Sequence, residues 1–268
     1  MRLIYLFVVL IVSLTACGRG TGGNVNIVNT AAATPAPEKI SAPQTVTIDS
    51  PDGVKLVGSL YEAGKPMTPA LLLLHQWQSD RRSYDEFAKK MQAAGFNVFA
   101  IDGRGFGEST KKADGSTVAA GRTGTDVKAM LGDVGAAFDF LSKNQNVDPR
   151  RIGIIGASYG SSLALMYAAD RPNVAAVALL SPGLNYFGNM PTAPAMKKYG
   201  DRPVFAVAAD NDKESADAVK SFGSGIGPDR VMKTYVSGGH GTELFKSQQT
   251  FADELLVFFS YHLQRTGK

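Results

Sequence analysis

The chain has one cysteine, one tryptophan and three histidines in 268 residues. A single cysteine excludes an internal disulfide, a cysteine-rich zinc site and a redox pair. No His, Cys, Asp and Glu residues are grouped at metal-ligand spacing, and no Gly-rich nucleotide-binding motif occurs, so we expect neither a metal nor a cofactor. Lys and Arg are scattered, with only short pairs such as Lys111-Lys112, and the net charge is a modest +4. Nothing there suits phosphate tracking, so nucleic acid is not an expected partner. There are no internal repeats. Apolar residues at 44% and charged residues at 19% exclude a disordered chain. The length suits one α/β domain with additional terminal sequence.

Long hydrophobic runs are also missing. The apolar stretch Leu3–Val12 falls short of the ~20 residues that span a bilayer. It follows Met1-Arg2 and precedes Ser13-Leu14-Thr15-Ala16-Cys17. A positive start, a short apolar core and small residues before a cleavage point describe a secretory signal peptide over residues 1–16. Leu14-Thr15-Ala16-Cys17 resembles a bacterial lipobox, which implies lipidation of Cys17, with acyl chains such as palmitate as a membrane anchor. Each buried CH₂ of such a chain contributes ~0.8 kcal/mol. The expected location is the bacterial cell envelope, lipid-anchored on the periplasmic or outer-surface side. Gly18, by resemblance to enterobacterial lipoproteins, permits passage to the outer membrane. Residues 17–43, rich in Gly, Asn, Thr, Ala and Pro, read as a lipidated start and flexible tether. The folded domain is then 44–268.

Gln44–Ser50 and Val54–Leu60 alternate apolar and polar residues around Pro51-Asp52-Gly53, which predicts an antiparallel hairpin. Ala70–His75, Asn97–Ile101, Arg151–Ile155, Val174–Leu180, Pro203–Ala209 and Val231–Val236 read as strands. Helices are predicted after a capping box at Ser83–Glu86, over Val127–Leu141, Ser161–Asp170 and Ser215–Phe222, and from Thr242 to about Gln264. Such alternation after a hairpin means a mostly parallel central sheet with helices on both faces. Its site belongs at the C-terminal ends of the strands.

Gly156-Ala157-Ser158-Tyr159-Gly160 has the form G-x-S-x-G, follows a strand and opens a helix. A sharp, strained turn of this kind exposes the Ser158 hydroxyl, and the helix N-terminus favours developing negative charge. A serine needs a base. His262 lies in the apolar terminal helix, and His75 ends an early strand. His240 lies in Ser237-Gly238-Gly239-His240-Gly241, just after the final strand, and is the candidate. An orienting carboxylate is available after Pro203–Ala209, as Asp210 or Asp212; Asp217 falls within the following helix.

On these residues the sequence from Gln44 onward resembles the α/β-hydrolase superfamily, with the flavour of dienelactone-hydrolase-like and bacterial lipoprotein esterase-like members. Ile101-Asp102-Gly103-Arg104-Gly105-Phe106-Gly107-Glu108-Ser109 resembles the superfamily's Asp-x-Arg-Gly-x-Gly-x-Ser turn, which we read as structural. The resemblance implies an α/β-hydrolase fold and the chain order serine, acid, histidine. It favours Asp212 as the acid, a few residues beyond the strand end, with Asp210 second. It implies an oxyanion hole from the N–H groups of Tyr159 and of Trp77, with Gln76 as the fallback; Gln76 stands where many relatives have glycine. His75 is expected to order that loop, and Trp77 either lines the pocket or anchors packing. The implied activity is hydrolysis of carboxylic esters, or related acyl compounds, through a Ser158-Asp212-His240 triad and an acyl-enzyme. The partner is a small acyl substrate. The alternatives are a thioesterase or peptidase of the same superfamily, or a non-catalytic envelope module for binding or assembly. The segment from Pro182 to Tyr199 is too short for a large helical lid, so the lid is minimal and the site open, with Tyr186, Phe187 and Met190 as an apolar rim.

Overall fold

A computed structural model describes residues 41–223 and 227–264. The signal sequence at 1–16, the lipidation residue Cys17 and most of the 17–43 tether lie outside the described residues. The compact unit that concerns the site is Lys39–Lys268.

Strands β1 (Gln44–Asp49) and β2 (Lys55–Tyr61) form the antiparallel hairpin, paired from Gln44 with Leu60 to Asp49 with Lys55. Its turn is closed by the Gly53 N–H to the Ser50 carbonyl at 3.0 Å. They are followed by β3 (Thr68–Leu74), α1 (Asp85–Ala93), β4 (Asn97–Ile101), α2 (Gly124–Lys143), β5 (Val147–Ala157), α3 (Tyr159–Ala169) and β6 (Val174–Leu180). A two-residue hairpin, β7 (Asn185–Tyr186) and β8 (Met190–Pro191), leads into α4 (Thr192–Tyr199). Then come β9 (Val204–Ala209), α5 (Lys213–Ser221), β10 (Arg230–Tyr235), α6 (Leu244–Ser247) and α7 (Phe251–Phe259). The main sheet has eight strands in the order β1-β2-β4-β3-β5-β6-β9-β10. Strands β4, β3, β5, β6, β9 and β10 run parallel; β1 and β2 are antiparallel to their neighbours. This is the α/β-hydrolase fold.

Each inner strand is apolar on both faces because helices cover both. Along β3, Ala70, Leu72 and Leu74 pack with α2 and α3, whereas Leu71 and Leu73 pack with α1 and α7. Along β9, Val204, Ala206 and Ala208 face one core, and Phe205, Val207 and Ala209 the other. Leu71, Leu72 and Leu73 are fully buried, and each contributes about 1.5–3 kcal/mol.

Two local expectations fail. The capping box at Ser83 does not form. Asp80 instead caps a 3₁₀ turn, Arg81–Tyr84, by accepting from the Arg82 N–H, and Ser83 Oγ donates to the Asp80 carbonyl. Helix α1 starts one residue after that turn. The single terminal helix is also broken, because Gln248 leaves the helical region (φ −118°, ψ 102°) between α6 and α7. The break lets Leu244, Phe251 and Phe259 all reach one core. Its end, Ser260–Gln264, is a π-helical turn.

The register aligns the parallel strand ends. Leu74 lies opposite Gly156, Ala157 opposite Leu180, Leu180 opposite Val207, and Ala209 opposite Tyr235. The segments after β3, β5, β6, β9 and β10 therefore leave the sheet along one edge, and the candidate residues lie in those segments.

Candidate active site

Ser158 joins β5 to α3 with φ 54° and ψ −124°, a region that costs a non-glycine residue about 1–3 kcal/mol. Its neighbours enforce that shape. The Ser158 N–H donates to the Leu180 carbonyl at 2.8 Å, and its carbonyl accepts from the Ser161 N–H at 2.9 Å and Oγ at 2.6 Å. The flanking glycines are sterically required. A Cβ on Gly156 would collide with the Gly160 carbonyl, and one on Gly160 would lie 2.6 Å from the Leu74 carbonyl oxygen. Gln78, Ser181 and Phe187 also have positive φ. They occupy the loops after β3, β6 and β7, whereas Met67, the fifth described non-glycine residue with positive φ, precedes β3.

The turn after β9 separates the two candidate acids. Asp210 is exposed and lies 3.5 Å from Lys220. Asn211 accepts from the Gly238 N–H at 3.1 Å, tying that turn to the loop after β10. Asp212 precedes α5, and its Oδ2 is 2.7 Å from His240 Nδ1. Burial raises the Asp212 pKa. The hydrogen bond from His240 and the nearby hydroxyls of Ser215 and Ser181 outweigh it, so the carboxyl lies below its ordinary value. An ionised Asp212 requires the proton on His240 Nδ1, which leaves the Nε2 lone pair as the basic position.

The His240 loop packs on the nucleophile turn. The Gly241 N–H donates to Ser181 Oγ at 2.8 Å, and a Cβ on Gly241 would touch the Ala157 Cβ and collide with the Gln76 side chain. Glu243 Oε2 accepts from the His240 N–H at 3.0 Å. No hydrogen bond joins Ser158 Oγ to His240; such bonds are commonly loose without substrate and tighten in the complex.

His75 has a different task. The Gly103 N–H donates to its Nε2 at 2.8 Å, and its Nδ1 is 2.7 Å from the Gln76 carbonyl. Nε2 therefore carries no proton and Nδ1 does. Burial lowers its pKa, in keeping with a neutral ring. It fixes the loop after β3 against the loop after β4. His262 is remote, with Nε2 at 2.8 Å from the Pro228 carbonyl.

Tyr159 is the first residue of α3, where main-chain N–H groups have no partner within the helix. Trp77 lies in the loop after β3 and is a packing residue. Its ring meets Phe106, Tyr159 and Phe187 at centroid distances of 4.9, 5.4 and 4.8 Å. Arg104 of the Asp-x-Arg turn is structural. It is buried and bonded to Asp133 at 2.6 and 2.7 Å and to Asp52 at 2.8 and 2.9 Å.

Three side chains make contacts that the sequence does not signal, and of the three Ser181 alone carried no expectation. Gln76 Oε1 accepts from the Thr242 N–H at 2.8 Å and from its hydroxyl at 2.9 Å, clamping the loop after β3 to the His240 loop. Ser181 Oγ holds Gly241, as above. The Tyr186 hydroxyl donates to the Ser181 carbonyl at 2.9 Å and lies beside Ser158 and Ser215. Met190 corrects the expected rim: it is fully buried, because the β7–β8 hairpin turns it into the core beside α3, and only Tyr186 and Phe187 remain half-buried at the site. A hollow of about 650 Å³ between α2 and α3 shares none of these residues.

The comparisons with known proteins bear on the family and the fold. The serine aminopeptidase, S33, family matches residues 65–213, more than half of the chain. The quorum-quenching protein AidA of Acinetobacter baumannii is 31% identical over 150 residues, 55% of this chain and 46% of its own. The chain spans about half the length of the curated relatives it matches. Among solved structures, an esterase of Pyrococcus furiosus superposes with a TM-score of 0.66 at 18% identity, over 82% of this chain and 91% of that one. A dienelactone hydrolase of Anabaena variabilis superposes at 0.59 with 20% identity, over 83% of this chain and 100% of its own. These two likenesses bear on the fold.

Proposed function

The chain belongs to the serine aminopeptidase, S33, family of α/β-hydrolases, and on that premise we propose that it is a serine hydrolase cleaving carboxylic esters through an acyl-enzyme. Ser158 is the nucleophile, His240 the base and Asp212 the orienting acid. The observation that carries this reading is the 2.7 Å bond between His240 Nδ1 and Asp212, made by a loop that packs on the strained Ser158 turn.

His240 Nε2 takes the Ser158 proton as Oγ bonds to the substrate carbonyl carbon. The negative oxygen is held by the main-chain N–H groups of Tyr159 and Trp77. The carbon–oxygen bond to the leaving alcohol then breaks, and the imidazolium returns its proton to that alcohol. Water attacks the acyl-enzyme with His240 again as base, releasing the acid and restoring Ser158. Asp212 stays ionised and steadies the imidazolium.

Amide and thioester hydrolysis by the same residues is the second reading, favoured by the peptidase name of the family. An ester, a thioester and an amide of one acyl group, compared by kcat/KM, separate the readings. The ester is expected to be fastest, and a faster amide overturns that preference. Absence of turnover of all three overturns the enzyme in favour of a binding or assembly module.

We also propose that Cys17 carries an acyl anchor tethering the domain to the bacterial envelope. Radioactive palmitate is expected to label the wild type and not Cys17→Ala; equal labelling contradicts this.

A further inference from the structure

A cation lies on the aromatic cluster beside Tyr159, the residue after the nucleophile. Arg122 immediately precedes the capping residue of α2, so its backbone is well held. Thr123 and Asp126 form a reciprocal capping box, and Asn189 Nδ2 donates to the Arg122 carbonyl at 3.0 Å. From that base the guanidinium lies over the Trp77 ring at 4.7 Å and the Phe187 ring at 5.0 Å. The two rings meet edge to face at 4.8 Å. Both are neighbours of Tyr159, the residue after Ser158, at 5.4 and 6.3 Å.

Arg122 has no carboxylate partner among the described residues, and its side chain donates no hydrogen bond there. This sets it apart from the arginines that build the fold: Arg81 pairs with Asp102 and Glu108, and Arg104 with Asp133 and Asp52. Asp212, Glu214 and Glu243 lie around the base and at the start of α5, and Asp126, the carboxylate nearest Arg122 in sequence, is taken up by the Thr123 N–H and hydroxyl. Asp212 and Glu243 already hold His240. A guanidinium stacked on aromatic faces keeps its N–H donors in the plane of its edge, in the fork geometry that matches a carboxylate. The stack also removes much of the freedom that ordering an exposed arginine on a ligand would otherwise cost.

We propose that Arg122 is a specificity-determining residue that favours esters carrying a carboxylate away from the scissile bond. This rests on the serine-hydrolase reading above. The carboxylate is held by the guanidinium edge while the apolar part of the substrate lies against Trp77 and Phe187. The same charge disfavours substrates with a free ammonium group at that position.

The test uses two matched ester pairs at neutral pH and low salt. One pair is p-nitrophenyl hexanoate and mono-p-nitrophenyl adipate, with the charge on the acyl side. The other is phenyl acetate and 4-carboxyphenyl acetate, with the charge on the alcohol side. The wild type is expected to prefer the anionic member of at least one pair, and that preference is expected to weaken as salt rises. Arg122→Gln lowers the anionic-to-neutral ratio of kcat/KM by roughly tenfold or more, the scale of a charge-assisted hydrogen bond, and Arg122→Glu lowers it further. A wild type without preference in either pair overturns the proposal even if neither variant folds. A ratio that moves less than about twofold in both folded variants also overturns it. Absence of turnover of all four esters by the wild type removes the serine-hydrolase reading, and this inference with it; turnover without charge selectivity removes only this inference.

Discussion

Replacing Asp212 by asparagine is the sharpest perturbation of the proposed triad, because it changes a charge with almost no change in shape. Asp212 is 17% exposed at its side chain and 2.7 Å from His240 Nδ1. Its lowered pKa keeps it ionised at neutral pH, so it accepts the Nδ1 proton. An amide can turn its NH₂ toward the ring. Nδ1 must then accept, the ring proton moves to Nε2, and the lone pair that Ser158 requires is lost. Loss of the acid in this arrangement lowers kcat by roughly 10⁴, or about 5.5 kcal/mol of transition-state stabilisation. Asp210→Asn is the matched control. Asp210 is 46% exposed and 3.5 Å from Lys220, and a surface pair of that kind contributes about 1 kcal/mol or less. Its kcat is expected to stay within about twofold of wild type. Initial rates of p-nitrophenyl acetate hydrolysis read both variants, with thermal unfolding to verify that each is folded. A collapse of kcat in Asp210→Asn alongside near-normal turnover in Asp212→Asn would refute the assignment.

Other outcomes follow from the contacts around the triad. Gln76→Ala removes two hydrogen bonds that hold Thr242, each contributing about 0.5–1.5 kcal/mol; steady-state kinetics should show kcat lowered about tenfold with KM little moved, and Gln76→Glu, which still accepts from Thr242, should recover most of it. Gly160→Ala forces a Cβ to 2.6 Å from the Leu74 carbonyl oxygen, and its urea midpoint should drop by more than that of a surface Gly→Ala change, with a loss of about 4 kcal/mol or more. Asp52 is held below its usual 3.8 chiefly by the Arg104 hydrogen bond. Its contribution to stability is therefore full above the unfolded carboxylate pKa and is lost as pH falls through the lower folded one. Urea midpoints of the wild type should decline over that acid range more steeply than those of Asp52→Asn; parallel curves would refute it.

Much of the fold is legible because burial on both faces leaves its mark on the strands. Leu71–Leu74 and Val204–Ala209 are continuous apolar runs, and the helices between the strands have clear spacing. The Ser158 turn is legible because two glycines bracket it at fixed offsets. The pairing of Asp212 with His240 is not. Asp210 and Asp212 lie in one turn, and which carboxylate faces His240 depends on how the backbone enters α5. Gln76 reaches Thr242 across 166 positions, a contact that no local pattern encodes. Met190 looks like a rim residue from its place in a short lid, yet a two-residue hairpin folds it inward. The terminal segment keeps helical spacing through Gln248, where the chain breaks so that the apolar residues of α6 and α7 share one core. Arg122 resembles any surface arginine until the fold sets Trp77 and Phe187 beneath it.

The central claim is that Ser158 is an activated nucleophile, and a fluorophosphonate probe tests it most directly. The serine oxygen displaces fluoride at phosphorus, and the adduct is read by mass spectrometry of the peptide containing Ser158. The wild type should label with one equivalent at Ser158, and Ser158→Ala should not label. An unlabelled wild type, or equal labelling of the two proteins, would contradict the claim.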